Sequence, residues 1–290
     1  FDIKESEVVS LIGESGSGKS LTALSIIRLL EKSCKIKKGK IFFLNKDILS
    51  IEEKEMREIR KNDISMIFQE PMRSLNPVMN IYDQLKESYI DIKSIHIKQE
   101  IINNLISVGI KDAKRVINLY PHQLSGGMKQ RVMIAMAIAC KPKLLIADEP
   151  TTSLDVTIQK QVLDLLLELK DKLNMAILFI THDLAVASQI SDKIVVMKDG
   201  KVVENSNAKN FFSNPENSYS KTLLDSSIYK RKTANTEKEN NDNVLSIKNL
   251  KVYFPESNNL FERNKSYVKA VDDISILIKS GSTHAIVGES

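Results

Sequence analysis

The run Gly13-Glu14-Ser15-Gly16-Ser17-Gly18-Lys19-Ser20 has the residue types and spacing of a phosphate-binding loop, G-x-x-x-x-G-K-[ST]. Glycines at these positions let successive backbone N–H groups turn inward around phosphate oxygens, and a helix that follows adds the positive end of its dipole. Lys19 brings a point charge for the terminal phosphates, and the Ser20 hydroxyl a ligand for Mg2+. A match of this kind arises by chance in roughly one per cent of chains of such length, so its companions decide its meaning. The first companion is Leu144-Leu145-Ile146-Ala147-Asp148-Glu149, an apolar run that ends in two acids. A strand buried on both faces delivers its last residues to the carboxyl edge of a sheet, where a phosphate loop also lies. There Asp148 would hold the cation, directly or through water, and Glu149 would polarise an attacking water.

The elements that must position these groups follow an alternating pattern. Val8–Ile12 is a short apolar run, predicted as a strand, and the loop after it leads into a helix with Leu24, Ile27 and Leu30 on one face. Lys143–Ala147, Ala176–Ile180 and Ile194–Met197 read as further strands, the last closed by an Asp199-Gly200 hairpin turn. Ile158, Val162, Leu165, Leu166, Leu169 and Leu173 fall at helical spacing, and Leu184–Ser191 reads as another helix. Strands alternating with helices predict an α/β fold, a mostly parallel sheet covered on both faces. The stretch from about 81 to 139 has helical patterns and no convincing strand, so an all-helical insertion is expected there.

Between the phosphate loop and the acidic strand stands Leu124-Ser125-Gly126-Gly127-Met128-Lys129-Gln130-Arg131. It resembles the LSGGQ-type signature of the ABC ATPases, which kinases and G proteins lack. Gln69, within Ile67-Phe68-Gln69-Glu70-Pro71, resembles the Q-loop of that family, Ser153-Leu154-Asp155 its D-loop, and His182 its switch histidine. The resemblance implies a RecA-like sheet with a small antiparallel β subdomain, and ATP with Mg2+ as ligands. Glu149, His182 and Gln69 would then act catalytically, with Ser20, Gln69 and Asp148 at the metal. Leu124, Ser125, Gly126, Gly127 and Gln130 would meet the nucleotide of a facing domain, beside Asp155, so that each ATP is sandwiched between two domains. A serine hydroxyl and bare amides at a helix start suit a γ-phosphate. His182 without this company would read as a core or surface histidine, as His96 and His122 do here, and Cys140 reads as a small packing residue.

Glu70-Pro71-Met72-Arg73-Ser74-Leu75-Asn76-Pro77, Tyr120-Pro121-His122-Gln123 and the tail around Asn214–Leu224 resemble the dipeptide/oligopeptide importer branch, although Asn217-Ser218-Tyr219 stands where members usually have His-Pro-Tyr. Ile278–Ser290 parallels Ile3–Ser15 at a constant offset, and Val244–Leu250 reads as a fresh opening strand. A first domain over 1–228, a polar and flexible linker over 229–243 and the start of a second copy over 244–290 are expected. This plan is similar to the fused double-ATPase subunits of microcin C-type and glutathione-type importers. Both ends read as cut: the chain opens at Phe1 in the tail of a strand and stops at Ser290 inside the second phosphate loop. At most one full catalytic set is expected, and the family's adenine-stacking aromatic falls upstream of Phe1 in the first copy and on Phe254 or Tyr253 in the second.

Over 290 residues, 42% hydrophobic and 27% charged, the composition supports a full core and excludes wholesale disorder. A net charge of +5 is spread too thinly to point to nucleic acid, and Lys230-Arg231-Lys232, followed by Glu237 and Glu239, reads as a solvated run. No stretch has the 18 or so uninterrupted apolar residues of a membrane span. Cys34 and Cys140 form neither a disulfide framework nor a zinc site. With the resemblance, these features imply an importer ATPase on the cytoplasmic face of the plasma membrane. Its expected partners are integral membrane permease subunits, a second nucleotide-binding domain and, indirectly, an extracytoplasmic substrate-binding protein. The other readings are a soluble twin ABC ATPase of translation or DNA repair, disfavoured by the short mixed-charge linker, and a phosphate-loop kinase, disfavoured by the signature.

Overall fold

The structure, a computed structural model, describes residues 1–69, 74–89, 96–152, 154–227, 243–255 and 267–288. The chain divides into two units, Phe1–Tyr229 and Lys230–Ser290. The first runs through β1 (Val8–Ile12), α1 (Lys19–Ile26), a hairpin of β2 (Phe42–Phe43) and β3 (Lys46–Asp47), α2 (Glu53–Asn62) and β4 (Ile64–Ile67). Then come α3 (Ile81–Glu87), α4 (Ile97–Ser107), α5 (Ala113–Val116), a 3-10 turn at Pro121–Gln123 and α6 (Gly126–Ile138). The unit closes with β5 (Leu144–Asp148), α7 (Val156–Leu173), β6 (Ala176–Thr181), α8 (Leu184–Ile190), β7 (Lys193–Lys198), β8 (Lys201–Asn207), α9 (Ala208–Ser213) and α10 (Ser218–Ser227).

Six strands form one sheet in the order β4-β5-β6-β1-β7-β8, all neighbours parallel except the β7–β8 hairpin. Parallel strands joined by helical crossovers must be buried on both faces, and the apolar runs obey this. Leu145, Ala147, Ile177 and Phe179 pack on one side with α4, α6 and α7. Their neighbours Leu144, Ile146, Leu178 and Ile180 pack on the other with Ala23, Ile27, Met56 and Ile59. The α/β reading with helices on both faces therefore holds. Among the described residues between 81 and 139 the regular elements are helical. The small antiparallel piece of this unit is the β2–β3 hairpin, two residues per strand.

Three details differ from expectation. α1 stops at Ile26 because Arg28 turns left-handed (φ 54°) and the Leu29 N–H reaches back to the Leu24 carbonyl at 2.9 Å, a Schellman-type end. Ala23 and Ile27 therefore form its buried side, and Leu30 lies beyond the helix. Phe1 is not in a strand; the first begins at Val8, after a turn through Ser6 at φ 57°. β4 escapes the sequence pattern because its four residues, Ile64-Ser65-Met66-Ile67, are too few and too mixed to register as a strand.

In the second unit β9 (Asn243–Pro255) pairs antiparallel with β10 (Tyr267–Lys279), and β9 contains the expected opening strand. The expected linker falls outside the described residues up to 242, and Asn243 already belongs to β9. Residues 283–287, the counterpart of β1, form no strand, and Ile286 and Val287 are 85% and 90% exposed. β1 itself is held between β6 and β7, which arrive from far along the chain. The described part of the second unit offers residues 283–287 no such neighbours.

Candidate functional site

β1 feeds directly into the phosphate loop. Gly13 has φ 152°, and a Cβ there would lie 2.3 Å from the Met197 carbonyl oxygen, so no larger residue fits. Gly18, at φ 101°, is the left-handed residue from which α1 starts at Lys19. The loop is braced from behind by the β7–β8 turn: the Gly200 N–H donates to the Ser17 carbonyl at 3.1 Å. Lys19 is 6% exposed, and its ammonium donates to the Gly13 and Glu14 carbonyls, each at 2.8 Å. Burial pushes the Lys19 pKa down, while the nearby Glu149 and Asp148 carboxylates push it up.

Asp148 is the last residue of β5 and is 5% exposed. Burial raises its pKa, opposed by the adjacent Ser20 hydroxyl. Asp148 Oδ1 and Ser17 Oγ are buried without a hydrogen-bond partner. Glu149 leaves the strand at φ 47°, a left-handed conformation unusual for its type, with its N–H on the Ile180 carbonyl at 2.9 Å. Its carboxylate accepts from Gln69 Nε2 at 2.9 Å, from Thr152 Oγ1 at 3.1 Å and from His182 Nδ1 at 2.9 Å. Gly13, Glu14, Ser15, Gln69, Glu149 and His182 line one cavity of about 420 Å³, closed by Ile12, Leu184 and Leu223. The orphaned Asp148 oxygen and Ser17 hydroxyl, beside a buried ammonium and a turned-in backbone, fit a divalent cation with a polyphosphate.

The signature residues lie elsewhere. Ser125 caps α6, accepting the Met128 N–H at 3.3 Å, and it and Gly126 are exposed. A Cβ on Gly127 would approach Ile158 to 3.0 Å, which places the signature against the start of α7. Leu124 and Gln130 are buried. Asp155 caps α7 through the Ile158 N–H at 2.9 Å. None of these residues lines the cavity of Glu149. Ser153 and Glu70–Arg73 lie outside the described residues. His122 stacks on Tyr120 with ring centroids 5.8 Å apart, and the Cys140 thiol, pushed up by burial, donates to the Ser88 carbonyl at 3.2 Å. On β9, Tyr253 and Phe254 are 38% and 57% exposed, and the Tyr253 hydroxyl donates to Asp272.

The phosphate loop, Glu149, Gln69 and His182 thus share one cavity. The family model described as ABC transporter matches residues 1–152. The chain belongs to the ABC transporter family. It is 45% identical over 294 residues to "Peptidoglycan transport ATP-binding protein YejF" of Agrobacterium fabrum, which covers 100% of this chain and 54% of that protein. The chain thus spans about half the length of that relative. It is 50% identical over 230 residues to "Oligopeptide transport ATP-binding protein AppD" of Bacillus subtilis, covering 78% of this chain and 70% of the other. Among solved structures, the ATP-binding cassette MJ0796, a dimer in a post-hydrolysis state with ADP and Pi, superposes with a TM-score of 0.63 at 30% identity. That match covers 72% of this ABC chain and 88% of MJ0796.

Sequence reasoning passed over Thr152, Leu184 and Leu223. Thr152 had a legible signal, a hydroxyl three residues past a strand-end acid, where a turn brings the two together: its N–H donates to the Glu149 carbonyl at 3.2 Å. The two leucines carry none, because only packing brings α8 and α10 to the loop.

Proposed function

We propose that this chain binds ATP with Mg2+ at the cavity of the first unit and hydrolyses it to drive uptake of peptides or related compounds. The observation that carries the reading is the linkage of Lys19, Asp148, Glu149, Gln69 and His182 around one phosphate loop. The loop amides from Gly13 to Ser20 and the Lys19 ammonium hold the phosphates. Ser20, Asp148 and the amide oxygen of Gln69 hold the cation, which supplies charge neutralisation at the β- and γ-phosphate oxygens when bound. Glu149, fixed by its three donors, orients water and accepts its proton. His182, with Nδ1 on that carboxylate, keeps Glu149 aimed at the site of the γ-phosphate. Ser125, Gly126 and Gly127 serve a nucleotide held by a facing domain, with Asp155 at the same interface.

The transport role is supported by relatives named for oligopeptide and peptidoglycan transport. No helix among the described residues is long and apolar enough to cross a membrane. Integral permease subunits therefore supply the path, with an extracytoplasmic binding protein delivering cargo, and this chain works on the cytoplasmic face beside a second nucleotide-binding domain. The test is Mg-dependent ATP binding and phosphate release by the full chain and by Glu149→Gln. The variant should keep binding and lose turnover by about 10²-fold or more. Undiminished turnover would remove Glu149 from its role, and absent binding by the parent chain would overturn the whole reading.

A further inference from the structure

The β7–β8 hairpin carries none of the nucleotide motifs, yet its tip stands against the phosphate loop at both ends. Val196 pairs with Glu204 and Met197 with Val202, so β8 carries one extra residue and the ladder is bulged just before the tip. A bulge bends and twists the strand that bears it and re-aims the residues beside it. Beyond it the Asp199-Gly200 turn, with φ 49° and 74°, is the tight two-residue kind whose twist matches that of the strands. Met197 is 5% exposed and belongs to the core cluster of Val9, Leu11 and Ala23. Its carbonyl oxygen is 2.3 Å from where a Cβ on Gly13 would stand, and its Cε is 3.3 Å from the same point on Gly18. Its sulfur accepts the Thr22 hydroxyl of α1 at 3.7 Å.

One residue thus meets the loop where it leaves β1 and where it enters α1, while the Gly200 N–H holds the Ser17 carbonyl between them. Loop amides that must point inward together lose conformational freedom when a ligand orders them, and that loss opposes affinity. A support fixed in the core beforehand removes part of it. Methionine suits the place, since a flexible thioether fills irregular space beneath a glycine backbone and accepts a weak hydrogen bond. We propose that Met197 is a positioning residue for nucleotide binding, the platform that keeps the phosphate loop in its binding shape before the triphosphate arrives. The inference rests on the reading that this loop binds ATP.

The experiment compares MgATP binding and turnover by the full chain with those of Met197→Ala, Met197→Leu and Val195→Ala. Val195 lies two residues earlier on β7, is buried in the same core cluster and pairs with Leu11 ahead of the loop, so it reports what lost packing alone does. Met197→Ala should raise the Kd and KM about tenfold, the affinity equivalent of one loop residue's freedom, with kcat within about twofold. Met197→Leu, of similar volume, should stay within about threefold of the parent. Val195→Ala should lower the thermal midpoint and leave the Kd unchanged. Met197→Val, a smaller truncation, carries the same comparison should Met197→Ala fail to fold. Unchanged affinity in the truncation, equal weakening in Val195→Ala, or binding by Met197→Leu as poor as in the truncation would overturn the positioning role. If the parent chain binds no MgATP, the ATP reading falls and takes this inference with it. If the parent binds and the Met197 truncation binds equally, only the inference falls.

Discussion

Glu149 is aimed by three donors, which still leave its carboxylate acceptor capacity for a water. Gln69 and Thr152 fix one carboxylate oxygen and His182 the other. In the proposed role of base, a carboxylate aimed in this way needs no reorganisation when a water arrives, which is the condition for efficient proton transfer. Thr152→Val removes one donor without changing shape much. It should lower kcat about fivefold, as expected for one hydrogen bond, and leave ATP affinity unaltered. Steady-state kinetics beside equilibrium binding checks this, and an unchanged kcat would make Thr152 a bystander. Gly13→Ala tests the loop itself. Its Cβ would meet the Met197 carbonyl at 2.3 Å, on a backbone at φ 152°. The strain alone is worth roughly 1–3 kcal/mol, so the variant should melt earlier and lose nucleotide binding, as calorimetry and titration would report.

At the scale of elements, the sheet edge where β1 and β5 end assembles the chemistry, and the helices around it set its tolerance. α10 is the outermost of these and hangs on Glu204. Burial pushes that carboxyl up, but the hydrogen bonds it accepts, including those from Asn217 and Glu216, outweigh burial and hold its pKa below the usual range. A carboxyl depressed in the folded state stabilises the fold above its unfolded pKa of about 4, and that contribution is lost as pH falls toward the folded value. Glu204→Gln should therefore melt below the parent at pH 7, and the gap should close as the pH is taken under about 4. A gap of equal size at both pH values would mean the charge of Glu204 contributes nothing to holding α10.

For the whole molecule, the decisive fact is separation: Gly127 stands against α7, and neither it nor Ser125 or Gly126 lines the cavity of the same unit's Glu149. On the proposed reading, the phosphate loop of one such unit and the serine-glycine helix start of another would complete each other when the two units face. Glu149→Gln with MgATP should thus elute at twice the monomer mass by size-exclusion with light scattering. Adding Ser125→Arg should abolish the dimer and leave ATP binding by the single chain intact. A monomer throughout in the presence of bound ATP would rule out the facing arrangement for this chain.

The local rules were strong enough to mark the phosphate loop and the acid-ended strand before any fold was known. A glycine-rich loop, a buried apolar strand ending in Asp148-Glu149 and a helix begun by Ser125 each follow from backbone conformation, burial and capping, which neighbouring residues dictate. The same rules failed where stability is borrowed. Residues 283–287 parallel β1 in sequence but stand exposed with no partner strand among the described residues, and β4 is a strand only because β5 lies alongside it. The meeting of Gln69, Thr152 and His182 on one carboxylate, and of Leu223 with the loop, was decided by tertiary packing. Those contacts join residues far apart in the chain, whose distances are settled by how helices cover a sheet and not by any spacing along the sequence.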